Sequence, residues 1–493
     1  MSASLRLSSD ALRDVARSQG VCVRPMVHEV RDRQTGEVQL VPVPCGSTQS
    51  RKCAPCAEKA RRIRMQQCRE GWHLDAEPER QSTETQSVPD EEELSKRRVR
   101  STRRRQDAGD LPRQAIDDRT LGRTFTAPSG QIYRPSMFAT FTLPSYGPVL
   151  SDGTPVAPGV YDYRRAALDA LHFAKLVDRM WQNLRRAVGY RVQYFAAVEA
   201  QRRLAPHLHA AVRGAIPRAL FRRVVEGTYH QIWWPSIDLP VYVDELPVWT
   251  GDGYADPSTH DLLPTWNQAL DALQDEAARP IHVLRFGRQL DLQGIVATEY
   301  DADRRVRYLT KYLAKSFGDT FGGDAACTPR QRAHLRRLHD EVRWLPCSTR
   351  CPNWLRFGVQ PQAAKRGMVP GACPNKAHDE FHLGCGGRRV LVSRLWTGKT
   401  LKGHRADRAE VVRQVLLAAG VTAPEIERLS ATATLADGTP RFEWQLFDPI
   451  DSTVPIYRQV MARAIAERMQ WRVDYEAART RAGPGTTPVQ ASR

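Results

Sequence analysis

Residues Pro206-His207-Leu208-His209 place two imidazoles two positions apart. On a β-strand, side chains at i and i+2 share a face, so both histidines point one way and Leu208 the other. A preceding strand, about 191–200, ends near Glu199. If these strands pair antiparallel, the carboxylate reaches the same spot. Two neutral imidazoles and one carboxylate form an open site for a divalent cation, with coordination positions left for substrate oxygens. A lone His-x-His is ordinarily an unremarkable pair of strand histidines, so its weight depends on a second element.

That element is Arg307-Tyr308-Leu309-Thr310-Lys311-Tyr312-Leu313-Ala314-Lys315. In a helix Tyr308 and Tyr312 lie one turn apart on one face, and Lys311 and Lys315 form a matching pair. A phenol with a pKa of ~10 is a weak nucleophile at neutral pH. Beside a cation that neutralises a phosphate, and with an ammonium near the phenolate, it becomes an effective one.

The elements that must carry these groups are legible in the periodicity. Met137 to Leu143 alternates as a strand and stops at Pro144. A long amphipathic helix is predicted over 161–188, strands over about 191–200 and 206–213, and helices over about 217–232 and 303–316. Residues 235–280, rich in Pro, Asp and Trp, read as an insertion. The N-terminal segment reads as a short helix and a hairpin turning at Gln34 to Glu37. The tail reads as a helix at 405–419, a hairpin at Asp437-Gly438 and a final helix at 454–482. The fold class expected is α+β: an antiparallel sheet with flanking helices, Cys-rich zinc-binding segments and a mostly helical C-terminal region. The expected divisions are 1–75, a disordered charged linker over 76–128, a nuclease domain over 129–320, a second Cys/His region over 321–403 and a helical region over 404–493.

Three of the motifs occur in the order that they take in rolling-circle replication initiators, which belong to the His-hydrophobic-His tyrosine endonuclease superfamily. Phe138-Ala139-Thr140-Phe141-Thr142-Leu143 is similar to the first motif, Pro206-His207-Leu208-His209 to the second, and Tyr308 to Lys315 to the two-tyrosine form of the third. The chain most closely resembles initiators of actinobacterial plasmids and integrative elements, a likeness that extends to the first cysteine cluster and to Gly386-Gly387-Arg388-Arg389-Val390. The resemblance implies Glu199 as the acidic third ligand and a bound Mg2+ or Mn2+. It also implies a 5′-phosphotyrosine intermediate and a free 3′-OH that primes a host polymerase. Tyr312 is the expected first nucleophile, Tyr308 the closing one, with Lys311 and Lys315 as supporting cations. The alternatives are a transposase or relaxase with the same chemistry, or an inactive zinc-containing DNA-binding regulator. Relaxases usually carry the tyrosine before the histidines, whereas here it follows them.

Cys45, Cys53, Cys56 and Cys68, built on a Cys-x2-Cys core, read as a structural Zn2+ site, with His73 competing for the fourth place. A second set is expected from Cys347, Cys351, Cys373 and Cys385, with His378 and His382 nearby. Cys22 and Cys327 read as buried thiols without partners. Gly398-Lys399-Thr400 imitates the end of a phosphate-binding loop, but Ser393 stands where that loop requires glycine. A built-in helicase is therefore not expected, and unwinding falls to a host helicase.

The bulk composition agrees with a polyanionic partner. Lys plus Arg number 73 against 55 Asp plus Glu, a formal net charge of +18. Each cation placed on a phosphate releases condensed counterions. Single-stranded or supercoiled origin DNA is the expected partner. No apolar run approaches the ~20 residues of a membrane span, and ten clustered cysteines suit a reducing compartment; the protein is expected to be soluble and cytoplasmic.

Overall fold

The computed structural model describes residues 8–72, 135–271, 278–296, 299–311, 316–321, 327–418, 433–447 and 453–481, with 74, 78, 124–126, 128, 130, 132–133, 273 and 313. All but a few positions of the expected linker lie outside these, as do His73, Tyr312 and Lys315. The chain divides into two compact units: residues 71–312 with 316–398, and residues 1–70 with 313–315 and 399–493.

The larger unit is built on a five-stranded antiparallel sheet. Its elements in chain order are β1 (Pro135–Phe141), α1 (Tyr163–Val188), β2 (Tyr194–Ala200), β3 (Pro206–Arg213) and α2 (Arg218–Glu226). There follow β4 (Tyr229–Ile232), β5 (His282–Arg285), β6 (Leu290–Val296), α3 (Glu299–Lys311), α4 (Pro329–Trp344) and β7 (Val390–Val392). The strand order is β6-β1-β3-β2-β7. The strict alternation of β1, β2 and β3 gives the sheet two distinct faces. Met137, Ala139 and Phe141, Ala196 and Val198, and Leu208, Ala210 and Val212 enter one core with Phe173, Leu176, Met180 and Leu184 of α1. The opposite face carries Phe138, Thr140, Glu199, His207 and His209.

Helix α1 opens on Asp162, whose side chain accepts from the Arg165 amide, and closes on Gly189 in the left-handed conformation. Helix α4 opens on a capping box of Thr328 and Gln331 and packs against α1. The expected helix over 217–232 ends at Glu226. Gly227 caps it, and the following Tyr229–Ile232 pairs with β5 as a ribbon at the base of the insertion. The tyrosine helix begins at Glu299, earlier than its periodicity suggested.

In the smaller unit, helix Ser9–Ser18 is followed by strands Met26–Asp32 and Val38–Val43, which pair around Gly36. Regions read from the sequence as the separate ends of the chain share this sheet. Phe442–Leu446 pairs with the free side of Met26–Asp32, opposing Trp444 to Val30. Arg441 forms a salt bridge with Asp32 at 2.6 Å and holds its carboxyl down at about 2. Helix Thr453–Arg481 packs Met461 and Ile465 on Leu12 and Ala16. Among the described residues no helix is long and apolar enough to cross a membrane.

The core of the larger unit stores acid sensitivity. His172 on α1 is buried beside Trp234, and burial pulls its pKa down to about 3. A folded-state value below the unfolded one means that this contribution is complete above an unfolded pKa of ~6.5 and is lost as pH falls toward the folded value. We predict that the melting temperature falls between pH 6.5 and 4.5 and that His172→Gln, which removes one such proton, flattens this slope. Parallel slopes in the two proteins would refute the assignment; zinc loss at low pH affects both alike.

Candidate active site and metal-binding clusters

The hairpin between β2 and β3 sets the geometry of the histidine face. Its five-residue turn, 201–205, forces Leu204 to a φ of +63° and is closed by Leu204 N–H to Gln201 O at 2.8 Å. Arg203 in that turn donates to the carbonyls of Leu143 and Pro144, 2.7 and 2.8 Å away, tying the turn to the end of β1. The resulting register opposes Glu199 to His207, and sets His209 between Ala197 and Thr140.

His209 is the centre of the arrangement. Its Nδ1 lies 3.1 Å from Thr140 Oγ1 and its Nε2 lies 3.2 Å from the Tyr308 hydroxyl. Glu199 Oε2 is 3.8 Å from the same Nε2, and the His207 ring stands edge-on, centroids 4.3 Å apart. Both partners are hydroxyls, so the tautomer that donates Nδ1–H to Thr140 and turns the Nε2 lone pair toward Tyr308 satisfies both contacts and leaves Nε2 free to face a cation. Tyr308 is held in place by aromatic packing: its ring meets His209 at 4.9 Å and Phe138 at 6.0 Å. Arg305, one turn earlier on α3, lies 5.0 Å over Phe138 and donates to Gln293 of β6 at 2.5 Å. Tyr308 is nevertheless 41% exposed, open to a substrate. Lys311 is exposed on the same helix.

The electrostatics suit a cation. Burial pulls His207 down to about 4 and His209 to about 3, so both imidazoles are neutral at neutral pH, the form that can ligate a metal. Burial pushes Glu199 up to about 7, opposed by Arg389 and Lys311. Glu199 Oε1 and His207 Nδ1 are buried without a hydrogen-bond partner among the described residues, two lone pairs that a divalent ion would satisfy. The three side chains are not among the groups whose ligand atoms all lie within 4.8 Å of one another. Their strand register juxtaposes them on one face of the sheet.

Two cysteine groups do converge to that degree, and each can hold a metal such as zinc. The first is Cys22, Cys45, Cys53 and Cys56. Backbone amides of Arg24 and Cys45 point at Cys22 Sγ, 3.4 and 3.3 Å away, and Cys53 leaves the helical conformation where the Cys-x2-Cys segment turns. Cys68, the expected fourth member, is fully buried further along helix Ser50–Trp72 and does not join; Cys22 takes the place. The reason is the hairpin. Pairing Met26 with Val43 brings the residues just before one strand against those just after the other.

The second group is Cys347, Cys351, Cys373 and His378. His378 Nδ1 is anchored on the Val342 carbonyl at 2.8 Å, which leaves Nε2 facing Cys351 Sγ at 3.5 Å. Cys385, expected here, is instead buried against α1, its thiol 3.8 Å from the Ala170 carbonyl. Gly384 makes that close approach feasible, because a Cβ there would stand 2.7 Å from Ala170 Cβ. His382 is likewise outside the group, and Cys327 is a buried thiol outside both groups, as expected. We predict two zinc ions per purified chain, reduced to one by Cys22→Ser and unchanged by Cys68→Ser. Elemental analysis decides it: equal loss from both variants would restore Cys68 as a ligand.

The Gly398-Lys399-Thr400 segment has other commitments. Lys399 Nζ is paired with Asp407 at 2.9 Å, and Ser393 is engaged with Gln193 and Tyr194. Asp407 also groups with Glu70 and His404, so the ammonium already supplies a cation to that trio.

A family model described as replication initiator protein, pSAM2, matches residues 8–91 and 80–467. No curated protein and no solved structure matches the chain.

Proposed function

This chain belongs to the family of the pSAM2 replication initiator protein, and from that premise we propose that it is a metal-dependent tyrosine endonuclease and strand transferase of the His-hydrophobic-His kind. It nicks its origin to start rolling-circle replication and rejoins the strand to end it. The observation that carries this reading is the Tyr308 hydroxyl 3.2 Å from His209 Nε2, with Glu199 and His207 on the same sheet face.

Glu199, His207 and His209 would hold a Mg2+ or Mn2+ ion, which would supply positive charge at the scissile phosphate. Thr140 fixes the His209 ring through Nδ1, so that Nε2 faces the nucleophile. The Tyr308 oxygen attacks phosphorus, its proton passes to water, and Lys311 keeps positive charge near the phenolate. The new Oη–P bond replaces the P–O3′ bond; the 3′ oxygen takes up a proton and leaves as the priming hydroxyl. One phosphoester is exchanged for another, so the reverse attack reseals the strand without outside energy. Tyr308 is assigned the opening attack on its contact with His209. Tyr312, which the motif form suggests for that step, lies outside the described residues and is assigned the closing transfer. A host helicase and polymerase complete the replication step.

Incubating the protein with a single-stranded origin oligonucleotide and Mn2+ should yield cleavage and a covalent adduct, both abolished by chelator. Cleavage without an adduct would sink the tyrosine mechanism. Thr140→Val keeps the shape and removes the hydroxyl; it should raise the Mn2+ concentration needed for half-maximal cleavage by about 10- to 100-fold, the range for lost supporting contacts to metal ligands. Thr140→Ser should restore it, and an unshifted Mn2+ titration in the valine variant would remove Thr140 from the site.

A further inference from the structure

Residues 224–278 contain ten Asp and Glu and no Lys or Arg, in a chain whose formal net charge is +18. A surface built from this segment repels phosphate, so it cannot be part of the DNA path. It is also unusually apolar where it meets solvent. Leu239, Val241, Val243, Val248 and Leu262 are all more than half exposed.

These side chains stand on an ordered support. Between Val241 and Val243, Tyr242 turns its hydroxyl to Asp256 at 2.7 Å, and the amides of Val241 and Tyr242 both donate to the Arg356 carbonyl. The Arg356 guanidinium itself lies over Trp344. Val248 pairs with Ala255, which bridges to Leu262, so the two exposed residues flank one buried alanine. Trp234, Trp266 and Trp354 pack together in the same unit, ring centroids 4.9 to 6.4 Å apart. Exposed apolar side chains on an ordered support, in a segment whose own charged residues are all acidic, suit a docking partner that is apolar and basic.

We propose that the occupant is a second copy of this chain, presenting helix Thr453–Arg481. On that helix Met469 and Val473, one turn apart, are 50% and 60% exposed, and Arg468 and Arg472 precede them on the adjoining stripe. Of the acidic side chains nearby, Glu467 pairs with Arg463 and Asp474 accepts from Gln470, while Arg472 also donates to Gln19. Patch and helix are different surfaces, so the contact is head-to-tail, and association grows with concentration.

Sedimentation velocity on the full, DNA-free chain at low ionic strength tests this. Wild type should associate as concentration rises. Val241→Lys with Val243→Lys should weaken association by at least about tenfold, and so should Met469→Asp with Val473→Asp, as expected for removal of central interface contacts. All four positions are exposed, and circular dichroism confirms that the variants fold. An equimolar mixture of the two variants retains one intact patch and one intact helix, and should form a dimer that neither forms alone. A wild type that stays monomeric throughout, association indifferent to either pair, or a mixture that stays monomeric would each overturn the proposal.

Discussion

Replacing His207 and His209 together with alanine is expected to reduce cleavage of single-stranded origin DNA by at least a factor of about a thousand, the scale of losing a group that stabilises transition-state charge. Both rings belong to one face of β3, and Leu208 between them belongs to the core, so the double change removes the proposed ligands without opening the core. Loss of one buried and one half-buried imidazole, the buried one hydrogen-bonded to both Thr140 and Tyr308, should change stability only modestly. Binding to the same oligonucleotide should survive, because phosphate contacts spread over a strongly basic chain supply most of the affinity. A gel shift and a cleavage assay on one preparation separate the two effects. Cleavage at the wild-type rate would remove the histidines from the chemistry, whereas parallel loss of binding would indicate damage to the fold.

Tyr308→Phe is expected to abolish the covalent 5′-phosphotyrosyl adduct in the first cut, a loss on the order of a millionfold where no other nucleophile substitutes. The substitution deletes one oxygen and keeps the ring that packs on His209 and Phe138. Helix α3 therefore stays docked, and the loss belongs to chemistry. Tyr312→Phe should permit the first cut and impair the transfer that releases a closed circle. Peptide mapping of the trapped adduct reads the order directly. A wild-type adduct on Tyr312 would reverse the order and leave the enzyme class standing; an adduct on neither residue would end the tyrosine assignment.

The shared face of the two histidines and the helix that carries Tyr308 were legible because each depends on a short-range rule. Period two makes His207 and His209 neighbours on any strand, and period 3.6 marks out the helix that ends with Lys311. Core faces were legible for the same reason: the alternation in Met137–Phe141 and the stripe along Tyr163–Val188 are local patterns. Less legible were the short strands His282–Arg285 and Val390–Val392, which owe their conformation to the strands that they pair with. The replication-initiator resemblance read from these motifs agrees with the family to which the chain belongs.

What the sequence alone supplied was the chemical inventory: two imidazoles and a carboxylate, a pair of phenols, thiols able to hold a metal, and an excess of positive charge. Tertiary structure alone decided who meets whom. Spacing in the chain favoured Cys68 over Cys22, yet a hairpin returns the chain on itself and closes the longer loop instead. The expected second set likewise took Cys385, but a glycine lets the chain press that thiol into α1 while a carbonyl orients His378 toward the other cysteines. The strand near the C-terminus found its partner at the N-terminus. Local periodicity is set by backbone geometry within a few residues. The partner of a side chain is set by which distant segments bury their apolar faces together, and the entropy of closing a long loop rises too slowly with its length to favour neighbours in sequence.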